Sequence, residues 1–143
     1  MSRTRMHSAE HLLNQTMVRL HNCGRCFSAH INSKKSKCDY HFQRALTTEE
    51  LNVIEAKVNE IIEADYPVIT EYLDRDEARI KFNLDRVPRG EDNGQFRIVH
   101  MGDYDACPCI GEHVSSTKKI GKFRITTAGF ENQVLRIRFK LLS

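Results

Sequence analysis

The stretch from Thr47 to about Asp65 leaves this chain little freedom, because it reads as a helix on every count. Leu51, Ile54, Val58, Ile61 and Ile62 recur at steps of three and four, which gathers them on one helical face. Thr47 followed three residues later by Glu50 forms a capping box, in which each side chain satisfies a backbone N–H of the first turn. A helix with one apolar stripe must bury it against another layer. The rest of the chain supplies that layer.

Met6, Ala9, Leu13, Met17 and Leu20 make a second stripe, over about Met6–Asn22, with Asn22 and Gly24 as stop signals. Phe27–Asn32 and Cys38–Gln43 read as strands around the polar turn Ser33–Ser36. Val68–Leu73 is a third strand. Asp74 caps a short helix through Lys81, with Glu77 in the capping-box position. Arg86–Gly94 is a polar loop, Phe96–Met101 a strand, and Asp103–His113 a short segment carrying Cys and Gly. Lys122–Thr127 and Val134–Leu141 close the chain as an antiparallel pair around Gly129–Asn132. Helices and hairpins in mixed order predict an α+β fold: an antiparallel sheet packed against two main helices. The 143 residues form one domain, 1–143, long enough to fold without a staple.

Composition narrows the setting. No apolar run reaches the roughly 20 residues of a membrane helix, and the first residues, MSRTRMHSAEH, hold no apolar leader core. Five cysteines, an odd number, argue against a disulfide framework and for a reducing, cytoplasmic setting. A net charge of +3 is compatible with RNA as a partner.

His7 and His11 stand four residues apart on the first helix, so both imidazoles share a face one turn apart. Alone, such a pair recurs in many helices as surface or core histidine. Cys109 and His113 repeat the spacing about a hundred residues later, between strands. Thiolate and imidazole are ligands that zinc prefers. Two matched clips of those donors in one small domain predict a zinc site at His7, His11, Cys109 and His113. Cys23 and Cys26 also have clip spacing but no second pair, and read as partly buried thiols. Glu10 and Glu112 are the acids beside the clips. Each is a candidate to take a proton from a bound water, or else a solvated surface charge.

These residues resemble a known family. His7-Ser8-Ala9-Glu10-His11-Leu12-Leu13 is similar to the HxxxHLL motif of alanyl-tRNA synthetase editing domains, and Cys109-Ile110-Gly111-Glu112-His113-Val114 to their CGGTHV motif. Thr117-Lys118-Lys119-Ile120-Gly121-Lys122-Phe123 resembles their TGxIGxF run, and Leu46–Val68 their long helix and following strand. The resemblance extends to the editing domain of threonyl-tRNA synthetase. It implies a free-standing, AlaX-type editing protein without the N-terminal barrel of longer members or the aminoacylation core. It also implies zinc held by His7, His11, Cys109 and His113, and hydrolysis in trans of a mischarged tRNA, Ser-tRNA(Ala) or Gly-tRNA(Ala). Contact with the acceptor end would fall to Lys118, Lys119, Lys122 and Arg124. The family's GGT reads Ile110-Gly111-Glu112 here, which makes the loop less able to approach a substrate closely.

Two other readings stay open on the residues. His7-x-x-Glu10-His11 matches the HxxEH pattern of inverted zincin peptidases, which leaves Cys109 and His113 without a task. A non-catalytic, zinc-stabilised RNA-binding module would keep the ligands and lose the chemistry.

Overall fold

A computed structural model of the chain describes residues 2–82 and 95–142. The expected loop Arg86–Gly94 lies outside the described residues. The described ones form an α+β fold of two helical layers and two antiparallel sheets.

The first helix, α1, runs Ser2–His21 and ends where Asn22 turns left-handed at φ 52°, a conformation asparagine tolerates. Met6, Leu12, Leu13 and Met17 are fully buried, but Leu20, counted in the apolar stripe, is 44% exposed. The buried stripe therefore stops about one turn short of the helix end. Ser8, His11, Asn14 and Thr16 are buried as well. Polar groups buried on a helix need partners, and these partners build the site.

Strands β1 (Ser28–His30) and β2 (Ser36–His41) pair as a hairpin. Helix α2 (Thr48–Ala64) carries the expected capping box: Thr47 Oγ1 accepts from Glu50 N, and Thr47 N donates to Glu50 Oε1. It ends at Asp65, φ 58°. Strand β3 (Val68–Asp74) leads into α3 (Arg75–Lys81), whose N-terminus repeats the box with Asp74 and Glu77. Then follow β4 (Gln95–Met101), β5 (Asp105–Pro108), a 3₁₀ turn (Thr117–Ile120), β6 (Lys122–Glu131) and β7 (Val134–Leu142).

The single expected sheet is two. One has the order β1-β2-β7-β6 and the other β3-β4-β5. They part because β3 and β5 both pair with β4 and with no strand of the larger sheet. Two further boundaries move. Asp103–His113 contains a strand, since Asp105–Pro108 pairs with Ile98–Met101. The final hairpin turns at Asn132 and Gln133, φ 53° and 62°, and not around Gly129, which stays in β6 opposite Arg136. Two positive φ angles in a two-residue loop match the right-handed strand twist.

The main core lies between α1, α2 and the larger sheet. It joins Leu12, Leu13 and Met17 to Ile54, Val58 and Ile62, and to Phe123, Ile137 and Phe139. Helix α2 is also tied to β6 by hydrogen bonds. Asn59 Nδ2 donates to Phe123 O and Asn59 Oδ1 accepts from Phe123 N, both at 2.9 Å. Thr117 Oγ1 donates to Ile61 O at 2.9 Å and accepts from Tyr66 N at 2.9 Å, satisfying backbone groups at the end of α2. That fixed turn carries the loop after β5 back against α1.

Candidate metal centre

The first helix and the loop after β5, about a hundred residues apart in sequence, meet. His7 and His11 from α1 and Cys109 and His113 from the loop place their donor atoms all within 4.8 Å of one another. The three imidazole centroids are 4.4 to 5.1 Å apart. Cys109 Sγ lies 3.6 Å from His7 Nε2 and 3.5 Å from His113 Nε2. A tetrahedral zinc ion about 2.3 Å from sulfur and about 2.0–2.1 Å from nitrogen sets those atoms about 3.5 Å apart. The donor set therefore fits the ion in both chemistry and spacing.

Each imidazole is oriented through its other nitrogen. His7 Nδ1 is 3.4 Å from Glu112 O. His113 Nδ1 is 3.0 Å from Ser8 Oγ, which also accepts from Val114 N at 3.1 Å and donates to Thr4 O at 3.0 Å. With its one hydrogen committed to Thr4, the Ser8 hydroxyl receives the Nδ1–H of His113, and Nε2 is left bare toward Cys109. His11 Nδ1 meets Asp105 Oδ2 at 3.5 Å. That is an ion-pair distance, too long for a well-formed hydrogen bond, and among the described residues Nδ1 has no hydrogen-bond partner.

Asp105 is itself held. Its side chain is fully buried, and it takes Arg25 Nη1 at 2.7 Å, Arg25 Nη2 at 3.3 Å and Gln15 Nε2 at 2.8 Å. Burial works to raise its pKa, but His11 and Arg25 hold the carboxyl far below the usual range. Burial likewise works against a charged His11, and contact with Asp105 and Cys109 outweighs it, lifting His11 to about 9. At Cys109 burial favours the thiol, while its contacts with His11, His113 and His7 outweigh burial and bring it down to about 3. Cys107, two residues away, is pushed by burial up to about 12. Of the two, only Cys109 stands as a thiolate at neutral pH.

The loop itself is clamped. Arg97 Nη1 donates to Cys109 O at 2.9 Å and Gly111 O at 2.8 Å, and Cys109 N donates to Arg97 O at 3.0 Å. A Cβ on Gly111 would sit 2.4 Å from His7 Cε1, so the one glycine this loop keeps is the one that lets the ring lie flat on it.

The acids part company. Glu10 turns inward. Its Oε1 is 3.6 Å from His7 Nε2, and its Oε2 accepts from Asn14 Nδ2 at 3.3 Å and Cys26 Sγ at 3.4 Å. Glu112 is exposed and contributes its backbone carbonyl to His7. Lys118, Lys119, Lys122 and Arg124 are all exposed. Lys119 Nζ donates to Ser115 Oγ at 2.8 Å, and Lys122 and Arg124 flank buried Phe123 on the outer face of β6. Asp105, Arg25, Gln15, Ser8 and Arg97 were not legible as site residues. Only Ser8 carried a signal, by sitting inside the histidine clip.

The chain is similar in sequence to known proteins over most of its length. Residues 96–138 match the family model of the threonyl and alanyl tRNA synthetase second additional domain. The chain is 34% identical over 130 residues to the alanine–tRNA ligase of Leptospira biflexa, covering 86% of this chain and 13% of that enzyme. It is 31% identical over 139 residues to that of Methanopyrus kandleri, covering 95% of this chain and 15% of the enzyme. It is 32% identical over 144 residues to that of Methanothrix thermoacetophila, covering 97% and 15%. The chain thus spans about a seventh of the length of the curated relatives it matches. Among the described residues no helix is long and apolar enough to cross a membrane.

Proposed function

Since this chain belongs with the second additional domain of the alanyl and threonyl tRNA synthetases, we propose that it hydrolyses mischarged aminoacyl-tRNA in trans, with Ser-tRNA(Ala) and Gly-tRNA(Ala) as its substrates. The observation that carries the proposal is the convergence of four zinc-type donors from two remote segments, with Cys109 Sγ at zinc-like spacing from the Nε2 atoms of His7 and His113. An aminoacylation pocket cannot strongly reject a substrate that merely adds a hydroxyl. A separate hydrolytic site removes the error afterwards.

In this reading His7, His11, Cys109 and His113 hold zinc. When bound, zinc polarises an ester carbonyl or acidifies a water. The chain's own residues do the rest. Cys109 offers a ready thiolate, so the site needs no general base to form. Ser8 and Asp105 fix the rings of His113 and His11 through Nδ1. Glu10 keeps Oε1 toward the cluster, within reach to accept a proton from water attacking the ester. Glu112, exposed beside the loop, is the second candidate for that task. Lys118, Lys119, Lys122 and Arg124 bind phosphates of the tRNA acceptor end, a contact that weakens steeply with salt. The work is cytoplasmic, where charged tRNA is found.

The test is a deacylation assay over a panel of charged tRNAs, with the metal content measured on the same preparation. Release of serine or glycine that is lost in Cys109→Ala and after chelation supports the proposal. Zinc and tRNA binding without release would leave a non-catalytic RNA-binding module. Peptide cleavage abolished by Glu10→Gln would replace it with the HxxEH peptidase.

A further inference from the structure

Behind the first cluster lies a second convergence of donors. Glu10 of α1, Cys26 just before β1 and Cys38 of β2 bring a carboxylate oxygen and two sulfurs within 4.8 Å of one another. Cys38 is fully buried and Cys26 is 5% exposed, while the Glu10 side chain is 14% exposed. Cys26 Sγ stands 3.4 Å from Glu10 Oε2, and Cys38 is hydrogen-bonded to Cys26. Asn14 borders the group: its Nδ2 donates to Glu10 Oε2 at 3.3 Å, and its Oδ1 accepts from Cys26 N at 3.1 Å and Tyr40 Oη at 2.7 Å.

A buried cysteine by itself is an ordinary small apolar residue. A carboxylate turned onto two of them is not ordinary, because a side chain only 14% exposed has little water to solvate its charge and gains from strong donors or a cation. Thiols are weak donors. Arg25 feels the charge of Glu10 but commits its guanidinium to Asp105. Two thiolates and one carboxylate are the donor class of a thiophilic divalent cation. A tetrahedral zinc ion sets sulfur and carboxylate oxygen about 3.5 Å apart, and the pair here stands at 3.4 Å.

We propose that Glu10, Cys26 and Cys38 form a second zinc site, with Glu10 as the link that turns Oε2 to this site and Oε1 to the first. Binding exchanges the two thiol protons for the ion. The site stands whether or not the first cluster hydrolyses anything.

The test is a titration of the reduced, metal-free full chain with Zn²⁺ and with Co²⁺, reading equivalents bound and sulfur-to-cobalt absorption. Two equivalents are expected. Cys109→Ala keeps the second equivalent and most of the sulfur-to-cobalt absorption. Cys26→Ser loses one equivalent and leaves only the absorption of a single thiolate, and Glu10→Gln weakens the same equivalent. Should Cys38→Ser fail to fold, Cys26→Ser carries the test. One equivalent in the full chain that survives Cys26→Ser overturns the proposal. So does a second equivalent indifferent to Cys26 and Glu10, and so does recovery of a Cys26–Cys38 disulfide in place of metal from the untreated protein. Because the readout is stoichiometry, deacylation can fail while this site stands, and the reverse.

Discussion

Asp105→Asn is the substitution that separates holding the fold from holding the metal. The side chain keeps its shape and one carbonyl oxygen, and loses its charge. Arg25, whose own side chain is 29% exposed, then lacks a counter-ion, and His11 loses the acceptor opposite Nδ1. Breaking a buried pair from one side costs about 3–5 kcal/mol. Because Arg25 reaches solvent in part, we discount this to about 2–3 kcal/mol of unfolding free energy, read by urea denaturation in the presence of a chelator. The second effect is on the ion. Removing the carboxylate that orients a ligating histidine costs about 10–100-fold in affinity, measured by competition with a chromophoric chelator. The two effects part in the double variant Arg25→Met, Asp105→Leu. Apolar replacement of both partners restores stability, because neither charge is left buried alone. Metal affinity stays low, because His11 has still lost its partner. If Asp105→Asn leaves affinity within about twofold of the parent, or the double variant regains it, the reasoning about Asp105 and His11 is wrong.

Three more outcomes follow from the same geometry. Gly111→Ala drives a methyl to 2.4 Å from the His7 ring and is expected to reduce zinc affinity at the first cluster at least tenfold, since the ring must leave its place; competition titration reads it. Ser8→Ala removes the acceptor for both His113 Nδ1 and Val114 N, leaving two part-buried N–H groups without it at a cost of about 1 kcal/mol, checked by denaturation with and without metal. Glu50, in the capping box and beside Arg44, has its carboxyl lowered from 4.5 to about 2 by the Arg44 hydrogen bonds first and Thr47 N second. A depressed carboxyl stabilises above its unfolded value, and that contribution fades as pH falls toward about 2. The stability gap between parent and Glu50→Gln should therefore close on acidification, and a gap that stays constant with pH would refute the assignment.

What the sequence revealed and what it hid follow one physical line. Periodicity and capping are local, so α2 and α3 were legible with their caps, and α1 up to the exposed Leu20. Whether strands join one sheet or two depends on which edges find each other, and nothing in Val68–Leu73 or Phe96–Met101 states that. The final turn, expected around Gly129–Asn132, lies at the far end of that span, where the chain bends at Asn132 and Gln133. At the site, ligand-type side chains show themselves by kind and spacing, and the four donors do meet. Their supports do not. An aspartate that aims a histidine, an arginine that clasps a loop and a serine that settles a tautomer look like any other polar residues until the packing of remote segments supplies their partners. The same holds for Cys26, whose spacing to Cys23 suggested a clip. Its neighbours are Glu10, which lies between the two histidines on the same helix, and Cys38, across a hairpin. Spacing finds ligands that share a turn. Where donors converge through the core, as Glu10, Cys26 and Cys38 do, only the packing of α1 on β2 makes them neighbours.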